Sequence, residues 1–239
     1  MIWQLLLGFV SGNVSDAKMA QLLLQFAATV FVVALCLPAH EFAHAWAAKK
    51  LGDNTAFMHG RLTLNPAKHL DVMGTLMVLV VGFGYAKPVP VNPRNFRNRK
   101  KGMALTAAAG PLANLLLAVV LMFIGQLLGA LYSLFFAGSV APDLMDLIWE
   151  FFAMASSINV ALMLFNLIPV PPLDGSRILD MLLPARASLF LARYERWLYI
   201  GVLAMVFFWP TPLNWLAGLV SQGIYALTGL PFFWVEGII

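Results

Sequence analysis

The chain has 239 residues, of which 61% are hydrophobic and only 11% charged, and its formal net charge is +4. Soluble domains carry about a quarter charged residues, so this composition excludes an ordinary soluble protein and indicates a multi-pass membrane protein. The only cysteine, Cys36, excludes a disulfide framework within the chain and a metal site built from several cysteines.

The N-terminal part of the chain contains one short and one long apolar segment. Met1 to Val10 is apolar, lacks a basic leader and is too short to span a bilayer, so we interpret it as an interfacial segment. The first strong span runs from about Met19 to Lys50. Its run from Leu22 to Leu37 carries no charge, as expected of a transmembrane helix.

The segment after this span is mixed in character. Arg61 to Leu64 alternates polar and apolar residues, which favours a short strand. Val72 to Tyr85 is apolar but shorter than the roughly 20 residues that a transmembrane helix needs. Extended backbone is then enforced by three prolines, Pro88, Pro90 and Pro93.

Two more strong spans follow, from Met103 to Phe136 and from Leu147 to Ile168. The loop between them, Ala137 to Asp146, contains no lysine or arginine. Two shorter apolar stretches follow towards the C-terminus, Trp197 to Trp209 and Leu213 to Leu230.

The basic residues orient these spans, because cytoplasmic loops are enriched in lysine and arginine. Three basic regions should face the cytosol: Lys49–Lys50, Arg94–Lys101 and Arg177–Arg196. Both ends of the segment from Gly52 to Arg99 then lie on one side, so its apolar part must enter the membrane and return. We therefore predict an all-α polytopic membrane protein, a bundle of about four to six transmembrane helices with a short membrane-associated β-strand or re-entrant element.

The first strong span contains a His-Glu-x-x-His motif at His40, Glu41 and His44. This spacing puts the two imidazoles one helical turn apart on one face, which suits a zinc ion. Glu41 follows the first histidine, where a carboxylate can serve as general base for a water molecule. Burying all three groups in an apolar helix without a partner would be costly, so the motif indicates a metal centre.

A catalytic zinc site usually has three protein ligands and one open position, so a third ligand is needed. The best candidate is Asp174, in the segment from Asn166 to Gly175, where prolines prevent a regular helix and let the chain turn inward. Asp-Gly is also a common turn pair, which leaves a turn carboxylate as the alternative. Asp180 is the nearest competitor, and we expect it in a cytosol-facing helix.

Other polar residues have simpler interpretations. His59 and His69 are expected to be solvated or hydrogen-bonded and not to be ligands. We expect Asp71 to pair locally or to cap the short helix that follows it, and Cys36 to fill space in the core. Asn114 is expected to hydrogen-bond across helices: it holds packed spans together or, as the alternative, binds the loop near the metal site.

Five sequence elements together resemble the site-2 protease family of intramembrane zinc metalloproteases and occur in the same order as in that family. They are His40-Glu41-x-x-His44, Gly60 to Pro66, Ala86 to Pro93, Ala109 to Asn114 and Asn166 to Gly175. The resemblance covers about Pro38 to Leu179. It is to a compact form of the family, without a PDZ segment between the core spans and without a CBS domain.

The resemblance implies one Zn²⁺ ion per chain, held by His40, His44 and Asp174, with Glu41 as general base. It also implies hydrolysis of peptide bonds within or near the transmembrane segments of membrane proteins. Asn166 would help to hold the substrate or the reacting carbonyl. The active site would lie nearer the cytosolic face of a multi-pass protein in the cell membrane, that is, an inner or plasma membrane.

We expect a single integral membrane metalloprotease domain over residues 1–239, with a catalytic core at about 19–180 and accessory C-terminal helices at about 187–230. Its expected partners are single-span or other transmembrane substrates and the lipid bilayer, with no nucleic acid. A homo-oligomer or a regulatory membrane partner is compatible with the sequence.

Two other functions fit a membrane protein with this motif. A catalytically silent scaffold of the same fold would have no need of a general base, so the intact Glu41 argues against it. A metal-ion transporter would need ionisable groups along a path through the membrane, whereas those of this chain cluster near one face.

Overall fold

The computed structural model describes residues 15–81, 84–136 and 142–232. These ranges are mainly helical and contain no β-sheet, only an isolated antiparallel bridge between Leu70 and Ala86. The N-terminal segment that the sequence predicts to be interfacial, residues 1–10, lies outside the described residues, as does most of the loop at residues 137–146. Residues 142–146 already belong to a helix.

The helices follow one another along the chain with short connections. They are α1 (Asp16–Phe31), α2 (Leu37–Lys50), α3 (Thr55–Met58), α4 (Pro66–His69), α5 (Val72–Val81), α6 (Arg99–Phe136), α7 (Pro142–Leu167), α8 (Asp174–Leu182), α9 (Ala185–Arg193), α10 (Glu195–Phe208) and α11 (Thr211–Gly229). A π-helical turn, Val32–Cys36, joins α1 to α2, and 3₁₀ turns lie at Pro93–Asn95 and Leu230–Phe232.

Three helical segments are long and apolar enough to cross a membrane: Lys18–Lys50, Arg99–Phe135 and Asp143–Leu167. They confirm the three strong spans predicted from the sequence. Helices α10 and α11 form a fourth candidate if they are counted together, as a pair bent by 74°. The all-α polytopic class is therefore confirmed, and the candidate spans in the described part of the chain reach the lower end of the predicted four to six.

Helix α6 lies at the centre of the bundle and packs against α2, α7 and α8. Small residues line its contact with α1 and α7, in a core cluster of Ala28, Val32, Cys36, Leu121 and Ala155. Small side chains let helices approach closely where lipid removes the hydrophobic driving force for association. Cys36 is 2% exposed and packs in this cluster, which confirms its predicted role as a core filler.

The predicted strand at residues 61–64 is not formed. The guanidinium of Arg61 instead donates hydrogen bonds to the backbone carbonyls of Lys68, Lys87 and Pro88. These carbonyls belong to the neighbouring segments of the chain. The Arg61 side chain therefore connects, by hydrogen bonds, the segments that a β-sheet would have connected. Four alternating residues are a short pattern, and such a pattern predicts a strand only when a backbone partner is available.

The apolar segment that contains α5 begins and ends at the same place in the structure. Its two ends meet in the bridge between Leu70 and Ala86. Gly74 faces the returning chain, and a Cβ there would stand only 2.9 Å from the carbonyl carbon of Tyr85. This close approach is what the predicted re-entrant element requires.

Asp53, in the turn after α2, is fully buried and ties the proline-rich segment to the helices. Its carboxylate accepts hydrogen bonds from the N–H and hydroxyl of Thr55, from the Asn92 N–H at 2.7 Å and from Asn95 Nδ2 at 2.7 Å. Burial by itself would raise the pKa of this carboxyl group. The hydrogen bonds outweigh that effect and hold the pKa of Asp53 below its usual value.

We predict that Asp53→Ala lowers the stability of the purified protein by about 2–4 kcal/mol, because it leaves several donors without their charged acceptor. The lowered pKa means that this stabilisation is fully present above about pH 4 and is lost as the pH falls through the pKa of the folded state. Thermal unfolding of the wild type in detergent should therefore lose more stability between about pH 5 and pH 3 than unfolding of the variant. The exposed Asp146 is the matched control, since Asp146→Ala should behave as wild type. Equal pH profiles for wild type and Asp53→Ala would contradict the assignment.

Candidate metal centre

Three side chains from two distant parts of the chain meet between α2 and the first residue of α8. His40 and His44 lie one turn apart on α2, and their Nε2 atoms are 3.0 Å from each other. The Oδ2 atom of Asp174 is 3.5 Å from Nε2 of His40 and 3.3 Å from Nε2 of His44. One ligand atom from each residue thus lies within 4.8 Å of the others.

The burial and the donor set of these residues suit a metal ion. His40 and His44 are 4% and 8% exposed, and Asp174 is half-buried. Two imidazole nitrogens and one carboxylate oxygen are common zinc ligands, and three protein ligands leave one position open for water or substrate. Of the histidine, cysteine and acidic side chains in the described ranges, these three alone form such a cluster.

The helix that carries the two histidines is irregular just before them. The π-helical turn Val32–Cys36 precedes Pro38, which lies in the first turn of α2. Proline has no N–H to donate to the carbonyl four residues earlier, so a regular ladder of hydrogen bonds cannot continue through it. Wide turns of this kind are frequent at functional sites. We expected a regular helix here, and Pro38 was the signal for the irregularity.

Helix α8 presents Asp174 because both of its ends are held. At its start, a Cβ at Gly175 would stand 2.6 Å from the carbonyl oxygen of Ile168, so only glycine lets the helix pack on the end of α7. At its other end, Lys100 Nζ donates a hydrogen bond of 2.6 Å to the carbonyl of Leu183. Contacts at both ends thus fix the position of Asp174.

Helix α6 forms the third wall of the site. The Thr106 carbonyl lies 2.8 Å from His44 Nδ1, so this ring nitrogen donates to it and Nε2 is left free for a metal. At Gly110, a Cβ would stand 2.5 Å from Cε1 of His44 and 2.6 Å from Cε1 of His40. Neither Thr106 nor Gly110 is among the residues that the sequence predicts for the site. The Gly-Pro pair inside a strong span was the available signal for the second of them.

The other residues considered for the site, Glu41, Asn166 and Asp180, occupy different positions. Glu41 is 8% exposed and lies close enough to His44 for their charges to interact. Asn166 is half-buried, and its Nδ2 donates a hydrogen bond of 2.9 Å to the Leu162 carbonyl of its own helix. Asp180 lies within α8 and outside the cluster of ligand atoms, so Asp174 takes the position for which both were candidates.

Two histidines and one aspartate outside the cluster have the simple roles expected of them. His59 is exposed, and His69 is buried with its Nε2 atom 2.7 Å from the Thr63 carbonyl. The Oδ1 atom of Asp71 accepts hydrogen bonds from backbone N–H groups at the start of α5 and caps this helix. None of the three lies in the cluster of ligand atoms.

Fold and site together define a class of protein: a helical membrane protein whose apolar spans enclose a metal-ligand cluster beside a glutamate. Comparison with known families narrows this class. The sequence profile of Peptidase family M50 matches residues 28–150 and 141–208. The chain belongs to this family, the site-2 protease family, which confirms the resemblance and the predicted enzyme class.

Several curated proteins are similar to the chain. The "Putative zinc metalloprotease YwhC" of Bacillus subtilis (strain 168) is 42% identical over 175 residues, which cover 73% of this chain and 76% of that protein. The "Putative zinc metalloprotease Rip2" of Mycolicibacterium smegmatis is 30% identical over 182 residues, covering 74% and 64% of the two chains. Its namesake in Mycobacterium tuberculosis (strain H37Rv) is 28% identical over 204 residues, covering 84% and 73%. No solved structure matches the chain significantly.

We predict that Gly110→Ala weakens metal retention at least tenfold, because the added methyl group overlaps the rings of both histidines and forces them apart. The measurement is zinc content after purification and dialysis against a weak chelator. Gly129→Ala is the matched control on the same helix, since a Cβ there meets nothing within 4 Å. Equal zinc content in the two variants would show that Gly110 is not needed to seat the ligands.

Proposed function

We propose that the chain is an intramembrane zinc metalloprotease that hydrolyses peptide bonds within or near the transmembrane segments of other membrane proteins. The observation that carries the proposal is the meeting of Asp174 with His40 and His44, which lie together with Glu41 on a helical segment apolar enough to span a membrane. The names of the relatives support zinc as the metal, since all three are called putative zinc metalloproteases.

His40, His44 and Asp174 would hold one zinc ion per chain. Zinc in such a site supplies Lewis-acid chemistry, which activates water as a nucleophile near neutral pH and polarises a peptide carbonyl. The cluster lies among apolar helices, where electrostatic interactions are stronger than in water. The half-buried Asp174 marks the side from which water would enter, because the two histidines are covered.

Glu41 would move the protons of the reaction. Its carboxylate accepts a proton from the attacking water, so that the water oxygen can form a bond to the peptide carbonyl carbon. The same carboxyl group then gives this proton to the leaving amine as the C–N bond breaks. Glu41 is well placed for this transfer because it lies three residues before His44 on the same helix, where side chains are neighbours, and it is buried.

The substrate must unwind locally, because a helix hides its carbonyls in its own hydrogen bonds. The extended proline-rich segment at residues 87–93 is the candidate surface for holding the unwound stretch, by strand addition. The Lys87 and Pro88 carbonyls already bind Arg61, and prolines lack an N–H. Pairing with a substrate would therefore use the backbone groups of Val89 and Val91.

We further propose a multi-pass topology in the cell membrane, with the active site nearer the cytosol. Lys49 and Lys50 end the first span, and His40 lies about 15 Å before that end at the helical rise per residue. Single-span or other transmembrane proteins are the proposed substrates. A second copy of the chain or a regulatory membrane protein is compatible with the exposed apolar faces of the helices, which lipid also covers.

We predict that Glu41→Gln retains zinc but loses at least a hundredfold in cleavage rate, because glutamine keeps the shape of the side chain and cannot accept the proton. The assay uses the protein reconstituted with single-span substrates, with zinc content measured on the same samples. Asp174→Ala is the complementary variant and should lose both zinc and cleavage. Equal cleavage by wild type and Glu41→Gln would refute the role of Glu41, and a wild type that cleaves none of a broad substrate panel would favour a silent scaffold.

We also predict that Asn166→Ala keeps the zinc content of the wild type and lowers cleavage by about tenfold to a hundredfold, as expected for a group that orients the reacting carbonyl. The side chain now binds its own helix, so the variant should fold normally. Steady-state kinetics and zinc analysis test this together. Loss of zinc in Asn166→Ala would assign the residue to the metal site and not to substrate binding.

A further inference from the structure

The metal centre lacks one hydrogen bond that such sites normally have. A histidine that binds a metal through one ring nitrogen almost always donates the other N–H to an acceptor, which fixes the ring. His44 has this bond, to the Thr106 carbonyl. The Nδ1 atom of His40 is buried, and no hydrogen-bond partner for it lies in the described ranges.

A second buried polar side chain also lacks hydrogen-bond partners. Asn114, on α6, is 0% exposed, and neither its Oδ1 nor its Nδ2 has a partner among the described side chains and backbone groups. The hydrogen bond between packed spans that the sequence predicts for Asn114 is therefore not seen in this part of the structure. A primary amide buried at membrane depth is costly, so packing alone does not explain it.

The pairing of α2 with α6 shows where Asn114 lies relative to the ligands. The two helices are antiparallel neighbours: His44 meets Thr106, Gly110 faces both His44 and His40, and Cys36 packs in one cluster with Leu121. One further turn along α6 is Asn114, four residues after Gly110 and on the same face. Asn114 is thus the next residue on that face beyond the level of His40.

The direction of the side chains brings these two groups together. Side chains on a helix lean towards its N-terminus. His40 therefore leans towards the level of Asn114, and Asn114 leans back over Gly110, towards the level of His40. Gly110 has no side chain that could stand between them.

We propose that Asn114 is a positioning residue of the metal centre, whose Oδ1 accepts the Nδ1–H of His40, directly or through one ordered water. This bond would hold His40 in the tautomer that leaves Nε2 free for the metal, as the Thr106 carbonyl does for His44. The inference rests on the proposed zinc site. With this bond, each of the two histidines would donate its Nδ1–H to an acceptor on α6.

Another buried amide serves as the matched control. Asn159, on α7, has no partner for its Oδ1 in the described ranges, and its Nδ2 donates to the Ala155 carbonyl of its own helix. Asn159→Leu makes the same chemical change as Asn114→Leu at a different place in the core and keeps the number of side-chain heavy atoms.

The first test measures zinc affinity of the full-length protein in detergent by competition with a chelator. Asn114→Leu should weaken zinc binding tenfold to a hundredfold. Its apparent melting temperature without metal should stay the same or rise, because a buried amide without partners is replaced by an apolar group. Asn114→Asp keeps the acceptor and should bind zinc nearly as wild type. Asn159→Leu should also match the wild type.

The second test observes the bond itself. The chain has four histidines, so ring-¹⁵N spectra of the zinc-loaded protein contain few signals, and His40→Ala assigns its own. The His40 Nδ1–H signal should be present in the wild type and in Asn159→Leu, and shifted or lost through solvent exchange in Asn114→Leu. An unshifted His40 signal in Asn114→Leu, or equal zinc affinity in Asn114→Leu and wild type, would overturn the proposal.

Failure of this inference is distinct from failure of the proposed function. If the wild type cleaves no substrate but Asn114→Leu alone weakens zinc binding, the positioning role stands and the protease assignment fails. If the wild type cleaves and Asn114→Leu binds zinc as tightly, the positioning role fails and the protease assignment stands. Equal weakening by Asn114→Leu and Asn159→Leu would also overturn the role, since it would reflect packing of the core.

Discussion

The structure depends on the cost of placing two imidazoles and a carboxylate among apolar helices. Each of these groups must be paired or must bind a metal, because the surroundings offer little solvation. The fold meets this condition by bringing three helices to one point. Helix α2 supplies two ligands, the start of α8 supplies the third, and α6 passes close to both histidines because it has glycine at position 110.

The same requirement explains features that lie further from the ligands. Asp174 can stay beside the histidines only if α8 keeps its position, and Gly175 and Lys100 hold the two ends of that helix. On the polar side of the bundle, Asp53 and Arg61 bind backbone groups of the proline-rich segment. Hydrogen bonds from side chains thus replace the hydrogen bonds of a β-sheet there. The backbone groups of the proline-rich segment that these side chains do not bind can pair with an extended peptide.

Much of this architecture was predictable from the sequence because hydropathy and helical spacing are local properties. The long apolar runs located the three candidate spans, and the four-residue spacing placed His40 and His44 on one face. The strand predicted at residues 61–64 was wrong, since its potential partners are bound by an arginine side chain. The helix predicted around Asp180 is present as Asp174–Leu182, and it begins at the residue that completes the ligand cluster.

The sequence by itself determined the fold class, the helix that carries the first two ligands and, through its ordered motifs, the family. It favoured Asp174 over Asp180 as the third ligand but could not establish the contact, because only the packing of α8 on α7 brings Asp174 to the two histidines. Nor could it reveal why Gly110 is needed or that Thr106 supports His44, because these contacts join residues more than 60 positions apart. Such contacts depend on how two antiparallel helices pair along their length, and only the tertiary structure decides that pairing.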